Sequence, residues 1–208
     1  MIALVAAVLL SANALSASKH TDAPPPELAP AVRALVASSG ARVTTSGTTL
    51  DFWWVKALPL QGTGAASWQQ VEEGTLVGAV RVSAVYRDIR GRTIKPGVYT
   101  LRYGIQPANG DHLGVSPFRD FLLLSPAAAD TDVTPTGHEG TVDLSKQTIG
   151  GSHPAVWSLD PPALTDATAA PLSARTNDAG HEAVVFEVPT ASGATLRFGL
   201  ILVGKIDT

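Results

Sequence analysis

Leu76-Val77-Gly78-Ala79-Val80-Arg81-Val82-Ser83-Ala84-Val85-Tyr86 and, after a turn-rich interval, Val98-Tyr99-Thr100-Leu101-Arg102-Tyr103-Gly104-Ile105 are the most regular stretches of this chain. In the first, Leu76, Gly78, Val80, Val82, Ala84 and Tyr86 alternate with Val77, Ala79, Arg81, Ser83 and Val85. In the second, Tyr99, Leu101, Tyr103 and Ile105 alternate with Val98, Thr100 and Arg102. Residues two apart share a face of a strand, so both stretches predict strands with one strongly apolar face. The interval 88–97 holds Gly91, which tolerates a positive φ, and Pro96-Gly97, which suits a type II turn. It predicts a β-hairpin or a connection between sheets.

Working outward, apolar or alternating runs predict further strands over 49–58, 121–125, 155–159, 183–188 and 194–203, the last with Leu196, Phe198, Leu200 and Leu202 on one face. Leu28, Val32, Leu35 and Val36 recur at helical spacing before Gly40 and predict a short helix near 27–38. The intervals 126–154 and 160–180 are too long for ordinary turns and are expected to be functional, mobile or to hide a short strand such as 141–144. Many strands, few helices and frequent turn residues give the expected class: all-β, an antiparallel β-sandwich with a short N-terminal helix and two long loops. The local string 88–104, an aspartate, a glycine turn, Pro-Gly and then Val-Tyr-Thr-Leu-Arg-Tyr-Gly, resembles a phrase of secreted β-sandwich domains, transthyretin-like modules among them. The resemblance implies a transthyretin/immunoglobulin-like sandwich, covers under a tenth of the chain and transfers no functional residue.

The apolar run Ile2 to Leu10, followed by small residues that include Ala12 and Ala14, has the layout of a secretory leader and is too short for a bilayer span. The expected organisation is a signal peptide at 1–17, a Pro-rich lead with a short helix at 18–40, and one β-domain at 41–208, periplasmic or secreted. The 208 residues include no cysteine, which excludes a lipid-anchored cysteine, a disulfide framework, a thiolate nucleophile and Cys-ligated zinc. Fifteen Lys and Arg against 18 Asp and Glu, with no basic cluster, lack the footprint needed to hold a nucleic-acid backbone.

Local motifs for catalysis fail on inspection. Ser116 in Gly114-Val115-Ser116-Pro117-Phe118 begins like a nucleophile elbow but ends on Phe118 where the elbow requires glycine. The S-x-x-K pattern of Ser16 to Lys19 straddles the expected cleavage region. None of His20, His112, His138, His153 and His181 stands at i, i+2 or i, i+4 to another, and neither His138-Glu139 nor His181-Glu182 extends to H-E-x-x-H.

Two sites assembled in space remain as expectations. His112, His153 and His181 fall in turns beside predicted strands and, with Asp111, form a candidate copper or zinc set. Trp53 and Trp54 are adjacent, so in a strand one faces the core and the other outward or toward a second layer, and an outward indole is a candidate sugar-stacking surface. The expected function is an exported, non-enzymatic binding or accessory module for a protein or glycan partner. A histidine-built metal protein and a carbohydrate-binding surface are the alternatives.

Overall fold

The structure, a computed structural model, describes residues 15–108, 118–160 and 169–204. The expected signal peptide, apart from its last residues, and the motif around Ser116 lie outside the described residues. In chain order the strands are β1 (Ser16–His20), β2 (Gly40–Thr44), β3 (Thr49–Trp54), β4 (Leu76–Val82), β5 (Tyr86–Arg87), β6 (Thr93–Ile94), β7 (Gly97–Ile105), β8 (Asp120–Pro126), β9 (Ala155–Asp160), β10 (Ala174–Thr176), β11 (Glu182–Pro189) and β12 (Thr195–Val203). Two α-helices, α1 (Pro30–Leu35) and α2 (Gly137–Ile149), accompany them. No helix among the described residues is long and apolar enough to cross a membrane.

Ten strands form one antiparallel sheet in the order β1-β2-β3-β4-β7-β8-β9-β12-β11-β10. The sheet curls until it is nearly closed into a barrel. Beyond β3, the Leu58 N–H donates to the Pro189 carbonyl at 2.8 Å and the Leu58 carbonyl accepts from Ala191 N–H at 2.9 Å, a short parallel bridge to the end of β11. The expected all-β antiparallel class holds, while a two-sheet sandwich is not confirmed, because the ladder runs unbroken from β1 to β10.

Aromatic side chains explain the curl. Phe52 and Trp54 of β3 reach across to Phe186 of β11 at ring-centroid distances of 5.1 and 5.0 Å, and Phe52 lies 5.7 Å from Trp157 of β9. Trp68, in a short 3₁₀ turn, stacks on Tyr103 of β7 at 5.1 Å and meets Phe198 of β12 at 5.2 Å. Rings of this size bury about 150–250 Å² each, so bringing the strands round them removes the largest apolar surfaces from water.

The strand predictions hold, most with ends shifted by one residue and β3 stopping at Trp54, with one exception. The stretch 76–86 is interrupted: β4 ends at Val82, and Tyr86 starts a small hairpin, β5–β6, that crosses toward β9 and β12. Tyr86 packs edge-on to Trp157 and donates its hydroxyl to the Leu202 carbonyl, while Ile89 joins Ala183 and Ile201. Gly91 adopts φ +73° as its turn requires. Gly97 does not take the positive φ of a type II turn and opens β7 instead.

The lead is more than a linker. β1 pairs with β2, Leu28, Val32 and Val36 are buried, and Val36 bridges to Val55 beyond the end of β3. The helix expected near 27–38 is the shorter α1, with Pro30 at its first turn.

The interval 126–154 contains a helix, α2, where a strand at 141–144 was expected. Its sheet-facing residues are hydroxylic, Thr141, Ser145 and Thr148 at spacings of four and three, so apolar periodicity does not reveal it. Thr148 donates to the Leu124 carbonyl at 2.7 Å, and Ser145 both donates to the Ala155 carbonyl at 2.9 Å and accepts from Ala155 N–H at 3.0 Å. Those bonds dock α2 on β8 and β9, and Gly150 at φ +66° closes its C-terminus. The interval 160–180 contains the short strand β10.

Ahead of α2, the segment 127–136 is tied down by Arg102, whose guanidinium is fully buried on the outer face of β7. It forms a fork with Asp130, both contacts 2.7 Å, and donates to the carbonyls of Gly74, Thr134 and Asp132. Gly74, at φ +87°, lies so close to the start of α2 that a Cβ would fall 2.4 Å from the Gly137 nitrogen. This approach brings Glu73 to the first turn of the helix.

Candidate functional site

Between α2 and the outer face of β7, β8 and β9 lies a cleft of about 310 Å³. Its floor is Gly104, Phe121, Leu123 and Val156, with Ile105 beside them, and a Cβ on Gly104 would meet Leu123 Cδ1 at 2.4 Å. The missing side chain at that position keeps the floor open. His138, Val142 and Lys146 of α2 form one wall, since residues four apart lie on one helix face. Arg90 from the β5–β6 hairpin and Ser152, His153 and Pro154 from the turn before β9 complete the rim.

The polar groups differ from one end of the cleft to the other. At the start of α2, the His138 imidazole Nδ1 and the Glu73 Oε1 are 2.8 Å apart, and the same oxygen accepts the Ile105 N–H at 2.9 Å. This carboxylate holds the Nδ1 nitrogen of the ring. At the other end, Arg92 donates to the Pro154 carbonyl at 3.0 Å, which ties the hairpin tip to the turn carrying His153. Arg90 forms no ion pair within 4 Å among the described residues. Burial and then the neighbouring Arg92 push the Arg90 pKa down, and Asp88 opposes them. Asp88 Oδ1 is held by the backbone N–H groups of Arg90 and Arg92 at 3.0 and 2.8 Å. Burial raises the Asp88 pKa, against those bonds and the two guanidinium charges.

The residues expected from sequence are distributed differently. Asp111 and His112 lie outside the described residues. His153 is on the cleft rim, while His181 stands before β11, its backbone N–H bonded to Asn177 Oδ1 at 3.0 Å and its ring against Gly204. Among the described residues no group of three His, Asp or Glu side chains is placed to hold a metal ion.

Trp53 and Trp54 point to opposite faces as expected, yet neither is an outward platform. Trp54 enters the barrel, and Trp53, on the outer face, is fully covered by the lead. Its indole N–H donates to the Asp22 carbonyl at 2.8 Å, and His20 packs edge-on against it. Trp68 and Trp157 are buried as well. Sequence reasoning missed Glu73, Arg90 and Lys146 and saw His138 only as a failed metalloprotease motif. The four-residue spacing of His138, Val142 and Lys146 ahead of Gly150-Gly151 was the available signal. No protein-family model, curated protein or solved structure matches the chain.

Proposed function

We propose that this protein is an exported, non-enzymatic binding module and that its ligand, a small molecule, sits in the cleft beneath α2. The observation that carries this reading is the lining: an apolar floor on the outer sheet face, with a few polar side chains gathered at its two ends. That division suits a ligand site, where apolar walls supply affinity and sparse polar groups set orientation. Packed rings occupy the barrel interior, which favours an outer site over one inside it. Binding is favoured over catalysis because the Glu73–His138 pair has no hydroxyl bonded to its imidazole among the described residues. Export rests on the apolar run Ile2 to Leu10 and the small residues Ala12 and Ala14 that follow it.

The test is titration with Nile red, an uncharged apolar fluorophore. Saturable one-to-one binding to the native chain, lost in Val142→Trp, which fills the cleft, is the expected result. Absence of saturable binding, or binding unchanged by that substitution, overturns the assignment of the site.

A further inference from the structure

Resting on that reading of the cleft, we infer that its ligand is a small amphiphile with an apolar body and one carboxylate, the carboxylate seated among Arg90, Lys146 and His153. His138 and Lys146 are eight residues apart on one face of α2, so a rise of 1.5 Å per residue separates the two polar ends by about 12 Å. The His138 end is internally satisfied, since Glu73 already accepts from both the imidazole and the Ile105 backbone. It offers no cationic side chain without a partner.

The opposite end does. The Arg92–Pro154 bond sets Arg90 and His153 on the same rim. Arg90 has no ion-pair partner and the His153 imidazole no hydrogen-bond partner among the described residues, while the Lys146 ammonium is paired only with Asp143, a carboxylate 72% exposed. Asp88, the nearest acid in the hairpin, is engaged by the backbone. A carboxylate entering here meets a guanidinium fork, relieves the repulsion between Arg90 and Arg92, and gains charge-assisted hydrogen bonds.

Ile105, Phe121, Leu123, Val142 and Val156 between the ends match a hydrocarbon or aryl body. A sugar would leave that floor unmatched, and a cationic amphiphile would be repelled.

Isothermal titration of the full chain with octanoate, 1-octanol and octylammonium tests this. The expected result is one-to-one octanoate binding, with the alcohol and the amine each weaker by about tenfold or more, the scale of one charge-assisted contact. Arg90→Gln should weaken octanoate by about the same factor and leave octanol unchanged. Val142→Trp, or Val142→Phe where the larger residue prevents folding, should weaken all three. Octanol binding as tightly as octanoate, an Arg90→Gln variant that binds octanoate normally, or failure of octanoate where Nile red still binds, overturns the carboxylate inference alone. Octanoate binding unaffected by either Val142 variant overturns the cleft assignment with it.

Discussion

The Arg102 guanidinium has five N–H groups and an acceptor for each: two on Asp130 and three backbone carbonyls. Removing one partner from such a pair leaves a buried charge without compensation. Asp130→Ala is therefore expected to lower stability by about 3–5 kcal/mol in urea unfolding. Asp88 gives a second prediction at this scale. Its carboxyl has an unfolded value near 3.8 and is raised in the native state, chiefly by burial. The native state then holds the proton more tightly than the unfolded chain, so stability falls as pH rises from 3.8 through the raised native value. Asp88→Asn keeps an oxygen for the Arg90 and Arg92 N–H groups and does not titrate. The variant's melting temperature, relative to the native chain, should gain between pH 3 and pH 7, and a difference that stays constant over that range would contradict the burial argument. Arg102 was visible in sequence only as the polar member of an alternating strand. Its role depends on a loop that returns to it 28 residues later.

At the level of elements, α2 shows how a helix escapes a reading based on apolar period. Its buried stripe is Thr141, Ser145 and Thr148; the hydroxyls of Ser145 and Thr148 serve backbone groups of β9 and β8, while that of Thr141 donates to the Gly137 carbonyl in the first turn. Ser145→Ala leaves the Ala155 N–H and carbonyl without that partner and should cost about 1–3 kcal/mol, the usual penalty for an unsatisfied buried polar group. Urea unfolding measures the loss, and hydrogen exchange in α2 should accelerate with it. The turn at Gly91, by contrast, was legible as a local signal, although the β5–β6 hairpin that it closes was read as the connection between two longer strands. Where that hairpin lands was not, since contacts of Tyr86 with Trp157 and Leu202 span large sequence separations.

For the whole molecule, the four tryptophans make a direct check on the packing. All four indoles are buried, Trp54, Trp68 and Trp157 inside the barrel and Trp53 beneath the lead. Native emission should be blue-shifted and resist quenching by iodide, and unfolding in guanidinium should abolish both properties. An iodide-accessible fraction in the native chain would restore an outward indole. The adjacency of Trp53 and Trp54 did show that they face opposite ways. It did not show that residues 20–36 fold back to cover the outer one, since a Pro-rich lead reads locally as an extended linker.

By itself, the sequence determined the segments of β3, β4, β7, β8, β9, β11 and β12, the all-β class and the absence of thiol chemistry, because period-two alternation, turn residues and composition are properties of neighbouring positions. Tertiary structure decided that the sheet nearly closes into a barrel, since alternation marks a strand's apolar face and not the strand opposite it. It also decided the cleft. Glu73, Arg90, His138 and His153 come from four separate segments, and only the docking of α2 by its hydroxyls, the approach at Gly74 and the Arg92–Pro154 bond bring them together.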